Sequence, residues 1–499
     1  MIGKPKRRFR RVLKLFNPVA GDSGTLRRAF PANFSVTTQV LFQLGVPLGE
    51  PIRRGTDFIC RYVLGGGDKA RIEEEVKAIV ANPAVFADDP LRREFAKALL
   101  AAPPPIRAVP ATYRQWGEGL EDEAVLQMER ACLLPISVAG ALMPDAHVGY
   151  GLPIGGVLAT DNAVIPYAVG VDIACRMKMT VLDIPLRDLE RKQDRLAGAI
   201  GLETRFGVGS SFMQRREHDV LDADWSVSPI TKANQDRAWA QLGTSGSGNH
   251  FVEFGIFTAR EKIHDLAPGT YVALLSHSGS RGTGAAVCDH YSKLAIQKHP
   301  ELPKELKRLA WLSLDEADGQ EYWAAMELMG RYAAANHALI HKHIAKNLGV
   351  PVLLDLENHH NFAWKERHKI GGIEREVIVH RKGATPAGEG VLGIIPGSMA
   401  SPGFVVRGKG NAESLNSAAH GAGRVMSRTQ AIKTFDWKDV NRRLKEKGIT
   451  LLSAGLDEVP MVYKNIHQVM AAQQDLVEAV GQFDPKLVKM APHGERPED

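Results

Sequence analysis

The stretch Tyr271-Val272-Ala273-Leu274-Leu275-Ser276-His277-Ser278-Gly279 changes character half-way. An apolar run of strand length passes directly into serine, histidine and glycine, which sets polar chemistry at the end of a rigid element. The pattern recurs: Pro351-Val352-Leu353-Leu354 leads to His359-His360-Asn361, and Val377-Ile378-Val379 precedes His380-Arg381-Lys382-Gly383. Between such runs lie stretches of helical patterning, chiefly Gln320 to Leu348 and Asp457 to Val480, the second carrying Tyr463-Lys464 near its start. This alternation predicts an α+β fold of mixed β-sheets flanked by helices, with loops at strand ends converging on one site. No internal repeat or low-complexity segment interrupts it.

Residues 1 to 105 differ in texture. They hold a basic arm, a Gly65-Gly66-Gly67 break, two short helical patterns at Ile72 to Val80 and Leu91 to Ala101, and the Pro103-Pro104-Pro105 stop. We expect a basic arm and small helical N-terminal extension over 1–105, and a chemistry-bearing domain over 106–499. The arm, with Lys4, Lys6, Arg7, Arg8, Arg10 and Arg11, reads as a solvated segment; Val12-Leu13-Lys14-Leu15-Phe16 is too short and charged for a secretory signal.

The 499 residues are 44% hydrophobic and 24% charged, an ordinary globular composition with ample length for a large core. A formal charge of +6, from 63 basic and 57 acidic residues, permits a polyanionic partner without requiring one. Cys60, Cys132, Cys175 and Cys288 form no CxxC pair, which favours a reducing, cytoplasmic setting. No apolar stretch reaches the roughly 18 residues of a spanning helix, so no membrane partner is expected.

Five histidine-bearing clusters stand out: Met143-Pro144-Asp145-Ala146-His147, Asn249-His250, His277, His359-His360-Asn361 and His420. Asp172-Ile173-Ala174-Cys175 adds a carboxylate and a thiol. A metal centre with one thiolate needs this chemistry, because deprotonated sulfur can bridge two cations while imidazoles complete each shell. Any one histidine is ordinarily hydrogen-bonded or exposed, and a lone buried cysteine is usually a small hydrophobe. The set carries more weight, since its members sit beside glycine or asparagine at strand ends, where rigid elements present ligands.

Glycine density is the second signal, in Gly243-Thr244-Ser245-Gly246-Ser247-Gly248-Asn249-His250, Ser278-Gly279-Ser280-Arg281-Gly282 and His420-Gly421-Ala422-Gly423-Arg424. Such runs either turn successive amides toward a phosphate, with an adjacent arginine forking onto its oxygens, or are simply tight turns. None matches the P-loop or the dinucleotide fingerprint.

Taken in order, these segments resemble the RtcB family of RNA ligases. The likeness is carried by Met143-Pro144-Asp145-Ala146-His147-Val148-Gly149-Tyr150-Gly151, Val169-Gly170-Val171-Asp172-Ile173-Ala174-Cys175, Gly246-Ser247-Gly248-Asn249-His250-Phe251 and His277-Ser278-Gly279-Ser280-Arg281-Gly282. It continues through His360-Asn361, His380-Arg381-Lys382-Gly383-Ala384-Thr385, Pro396-Gly397-Ser398-Met399, His420-Gly421-Ala422-Gly423-Arg424 and Tyr463-Lys464, spanning about 106 to 489. The resemblance implies an RtcB-type fold and a ligase catalytic domain over 106–499. It implies a GTP-dependent enzyme with two manganese ions, which joins RNA 3′-phosphate or 2′,3′-cyclic phosphate ends to 5′-hydroxyl ends in RNA repair or tRNA splicing. By the same likeness His420 is the nucleophile that takes up guanylate. Asp172, Cys175 and His250 hold one manganese, and Cys175, His277 and His360 hold the second. Asn249, Phe251, Glu253, Asn361, Ser398, Gly421, Ala422, Gly423, Tyr463 and Lys489 contact the guanylate, and Arg281 and Arg424 are candidates to clamp phosphate or RNA. The expected partners are RNA with broken ends and an activating helper protein.

Three features depart from the family pattern. Arg176 follows Cys175 where glycine is usual, Ala400-Ser401-Pro402 extends the Pro396-Gly397-Ser398-Met399 segment with small residues, and Met490 to Asp499 follow Lys489 where relatives tend to end. Two other readings use the same residues: a two-metal phosphoesterase, which would not need His420, and a non-catalytic sensor of RNA ends.

Overall fold

The run Tyr271–Leu275 is the middle of a strand, Gly269–Ser278, whose final residues carry His277. The other two runs behave alike: Val352–His359 and Ile373–Lys382 are strands that deliver His359 and Lys382 at their ends. The computed structural model describes residues 40–496 apart from 42–43, 48–49, 102–106 and 108. The basic arm and the proline stop therefore lie outside the described residues.

Seven strands pair side by side in the order Leu392–Ile395, Gly403–Gly408, Val477–Met490, Phe251–Ala259, Gly269–Ser278, Arg176–Leu182 and Val352–His359. Every step is antiparallel, and Thr450–Ser453 adds to Val477–Met490 in parallel. Alternation along each strand sends one side chain in two to the inner face. Met177, Phe257, Leu275, Leu354, Ile394, Val405 and Val480, one from each of the seven, share a single apolar cluster. The sheet is curled until its edges nearly meet, and the Asn358 side chain bonds both the amide and the carbonyl of Ile394, at 2.9 and 3.4 Å. Each fully buried aliphatic or phenyl side chain in such a core contributes about 1.5–3 kcal/mol.

The outer face is covered by a 32-residue helix, Ala317–Leu348, which contains the expected 320–348 pattern. Its Ile340, Ile344 and Leu348 pack on Val252, Phe254, Val272 and Leu274. It stops at Gly349, whose φ of 62° is the left-handed C-cap that only glycine adopts without strain.

A second sheet runs Tyr113–Gln115, Ser137–His147, Ile154–Thr160, Ile373–Lys382 and Asn361–Ile370. The chain passes from the first sheet to the second at a single residue, His360, between Val352–His359 and Asn361–Ile370. The site is built at this junction.

One helical expectation changes. The segment from Asp457 to Val480 is not one helix: turns at Leu456–Glu458 and Pro460–Val462 and a short helix Ile466–Ala471 precede the strand beginning at Val477. The backbone there bonds to the His420 loop instead, with Val425 N to Val462 O at 2.8 Å and Lys464 N to Gly423 O at 2.9 Å. Tertiary hydrogen bonds have overridden local propensity.

The chain divides at residues 103 and 104 into two compact units. In the first, helices Ile72–Ala81 and Arg93–Ala101 match the two patterns, and a third, Glu50–Leu64, was not anticipated. Pro51 and Gly55 look like breakers, but Pro51 sits in the first turn, where its missing N–H costs nothing. A Cβ at Gly55 would come within 3.1 Å of the Phe95 ring, so glycine permits close packing there.

Candidate active site and metal centre

Strand ends place the metal-type side chains. Cys175 directly precedes Arg176–Leu182, His250 directly precedes Phe251–Ala259, and His277 lies one residue from the end of Gly269–Ser278. The registers Phe251 with His277, and Arg176 with both Ser278 and His359, bring these ends level. The Cys175 sulfur then lies 3.1 Å from His277 Nε2 and 3.4 Å from His250 Nε2. His360 Nε2 is 3.3 Å from His277 Nε2, and Asp172 Oδ2 is 3.1 Å from His250 Nε2.

These atoms form two ligand sets that share one sulfur: Asp172, Cys175 and His250, and Cys175, His277 and His360. Apart from the half-buried Asp172, every member is buried. His277 Nδ1 donates to the Asn249 carbonyl at 3.1 Å, which leaves its Nε2 as a bare lone pair facing the sulfur. Burial pushes the His277 imidazole down to about 3, and burial with neighbouring imidazoles holds His360 well below the usual range. Asp172 is oriented by Ser280, whose amide and hydroxyl both donate to Oδ1, while Oδ2 faces His250 Nε2. Lone pairs of imidazole, carboxylate and sulfur converge here, and shared cations would satisfy them together. The donor set fits two divalent ions bridged by a thiolate.

Beside this centre stands His420. Its Nδ1 donates to Asp145 Oδ2 at 2.7 Å, and the amides of His420 and Gly421 donate to the same oxygen at 3.1 and 3.3 Å. Asp145 is fully buried, so one carboxylate fixes both the ring and its backbone. With Nδ1 protonated, Nε2 carries the free lone pair, and the ring centroid lies 5.0 Å from that of His360. Asp145 was in view in the Met143–His147 motif, yet nothing local to the sequence ties it to residue 420. Asp145→Asn should keep the fold and slow any reaction at His420 by roughly 10²–10⁴-fold, as expected when a carboxylate no longer selects the imidazole tautomer. Unchanged single-turnover kinetics would rule out this role.

A cavity of about 520 Å³ opens over both features. Asn249, Phe251, Glu253, Asn361, Ser398, Gly421, Ala422, Gly423, Tyr463 and Arg424 all line it, together with His420 and the metal-type side chains. Burial raises the Glu253 carboxyl well above its usual range. Tyr463 donates its hydroxyl to Glu458, and Arg424 donates to Glu458, to the Asp457 carbonyl at 2.7 Å and to the Met426 carbonyl at 3.2 Å.

Two predicted residues are not brought to this cavity. Arg281 is buried behind His250, with Nε donating to Thr244 Oγ1 at 3.2 Å. Lys489 is turned away by strand register: Met490 pairs with Phe251 and Val488 with Glu253, so these four share the cavity face, while Lys489 pairs with Val252. Its Nζ donates instead to Thr204 Oγ1 at 3.2 Å.

The glycines serve the side chains. A Cβ at Gly423, where φ is 73°, would lie 2.1 Å from the Asp145 carbonyl oxygen, and one at Gly279 would lie 2.0 Å from Asp172 Oδ2. Both loops must be glycine for the two carboxylates to sit where they do. Arg176 does not intrude on the thiol. It turns toward the long helix, bonding Glu357 at 3.1 Å and the Gly330 carbonyl at 3.0 Å.

A family model described as tRNA-splicing ligase RtcB matches residues 127–229 and 219–490. The chain belongs to the RtcB family. It is 33% identical over 409 residues to the RNA-splicing ligase RtcB of Escherichia coli (strain K12), covering 74% of this chain and 95% of that protein. It is 32% identical over 443 residues to the tRNA-splicing ligase RtcB of Nanoarchaeum equitans (strain Kin4-M), covering 74% and 91%. Against the RNA-splicing ligase RtcB of Mycobacterium tuberculosis (strain ATCC 25618 / H37Rv) it is 32% identical over 431 residues, covering 72% and 99%. The RtcB match begins after residue 126, beyond the N-terminal helical unit. Among the described residues no helix is long and apolar enough to cross a membrane.

Proposed function

We propose that this RtcB-family chain is an RNA ligase whose catalytic domain spans 106–499, and that it joins a 3′-phosphate or 2′,3′-cyclic phosphate end to a 5′-hydroxyl end at the expense of GTP. The observation that carries this reading is the pairing of His420 with Asp145 beside a shared-thiolate ligand set. A phosphoesterase has use for the metals but none for an oriented imidazole nucleophile.

In this reading His420 Nε2 forms a bond to the α-phosphorus of GTP as pyrophosphate leaves, and Nδ1–H remains on Asp145, which stabilises the positive ring. Asp172, Cys175 and His250 would hold one divalent ion, and Cys175, His277 and His360 the other. When bound, such ions neutralise triphosphate charge and assist the leaving pyrophosphate. Thiolate and imidazole alone suit zinc, so manganese is taken from the family resemblance. A 2′,3′-cyclic end is first opened by water to a 3′-phosphate; the 3′-phosphate then takes the guanylate from His420, the 5′-hydroxyl attacks that activated phosphate, and GMP departs.

Glu253 lines the cavity beside Phe251 and Met490, and in this reading it meets the purine edge. Burial disfavours the charged Glu253 carboxyl, and in this reading the N1–H and amino group of guanine, a donor pair adenine cannot offer, stabilise the carboxylate that accepts from both. Glu253→Gln should lower the preference for GTP over ATP by roughly 10- to 100-fold, the cost of leaving buried polar groups unpaired. An unaltered ratio of kcat/KM values would remove Glu253 from base selection.

The reading as a whole is tested by incubating the protein with a divalent cation and GTP labelled at the α-phosphate, then denaturing it. Label should remain on the chain in an acid-labile, alkali-stable linkage. An unlabelled chain would overturn the proposal.

A further inference from the structure

One aromatic ring at the cavity has no part in the chemistry above. Tyr150 lines the cavity and leaves half of its surface open. A single exposed aromatic residue needs no explanation by itself, but this one is fixed and backed. Its carbonyl accepts from Lys382 Nζ at 2.6 Å. The next residue, Gly151, has a φ of 77°, and a Cβ there would lie 2.9 Å from the Arg308 carbonyl oxygen, so the turn is pressed against the chain at 308. The Arg308 guanidinium lies 4.7 Å from the ring centroid and covers one face. Lys382 also leads directly to Gly383, where a Cβ would lie 3.1 Å from His420 Cε1. The Tyr150 backbone is thus held by the segment that borders the nucleophile, and its ring is backed by Arg308.

We propose that Tyr150 is a stacking platform for the nucleobase of the terminal nucleotide at an RNA break, with Arg308 holding the ring from behind. This rests on the RNA-joining reading and adds a subsite to it. An RNA end entering the cavity has lost a stacking neighbour, and an aromatic face replaces it for any base, because every base has a π-face. A cation over the far face of the ring fixes its plane. Either end of the break presents such a base.

The test uses the full chain as wild type, Tyr150→Ala and Tyr150→Phe. Each is given intact RNA pairs, pairs abasic at the 3′-terminal nucleotide, and pairs abasic at the 5′-terminal nucleotide. For the wild type, KM and the dissociation constant from fluorescence anisotropy should rise about ten-fold for one abasic pair, which identifies the stacked end. Tyr150→Ala should bind intact RNA as weakly as the wild type binds that abasic pair and should no longer distinguish the two. Tyr150→Phe should behave as wild type. Retained discrimination by Tyr150→Ala, or a wild type indifferent to both abasic ends, would overturn the proposal. Guanylate uptake at His420 is followed separately on each protein. Base-dependent binding without uptake would defeat the ligase reading and leave the platform standing.

Discussion

Cys175→Ala is expected to empty both metal positions at once. The Cys175 sulfur is the one ligand common to the two sets. Its loss leaves Asp172 and His250 on one side and His277 and His360 on the other, two ligands each, where three side chains had converged. Removing a group that only supports a ligand already costs about 10–100-fold in metal affinity, so loss of a shared ligand should cost more at each position. Guanylate uptake and joining should fall by at least about 10³-fold, because the triphosphate charge is no longer neutralised. Elemental analysis after dialysis should show two ions per wild-type chain and close to none in the variant. Two ions retained by Cys175→Ala would contradict the shared-thiolate arrangement.

His420→Ala should abolish covalent guanylate while leaving metal in place. No other imidazole can substitute. His360 belongs to a ligand set. His147 also lines the cavity, but its Nδ1 bonds the Asp145 backbone carbonyl at 3.1 Å instead of a carboxylate, and burial holds it down to about 4 despite the nearby Asp145 charge. Loss of a nucleophile that acts with its orienting partner typically costs 10³-fold or more. The ring is packed beside glycines and no element depends on it, so the variant should melt within a few degrees of wild type. Label of normal intensity on His420→Ala, at normal metal content, would show that the nucleophile lies elsewhere.

Much of this site could be read from the sequence, because strand ends concentrate it. The apolar runs before His277 and His360 mark the strands, and the residues next to those runs converge because antiparallel register brings the ends level. Asp145 could not be assigned by such reasoning: its contact with His420 spans 275 positions and follows from the way the 420 loop folds against Ser137–His147. Lys489 shows the opposite limit. A register irregularity between Pro485 and Leu487 decides which of Lys489 and Met490 faces inward, and a one-residue shift exchanges the two faces. The segment from 457 to 480 shows a third. Its apolar spacing suits a helix, but Pro460 interrupts it and the backbone pairs with the nucleophile's loop.

The direction of activation decides which end of the break meets guanylate. It is tested by placing radioactive phosphorus only in the terminal 3′-phosphate of one RNA strand, supplying an unlabelled 5′-hydroxyl strand with GTP and manganese, and digesting the product. The label should be recovered in the new junction phosphodiester, with GMP released. Efficient joining of 3′-hydroxyl to 5′-phosphate ends, or a junction free of label, would contradict it.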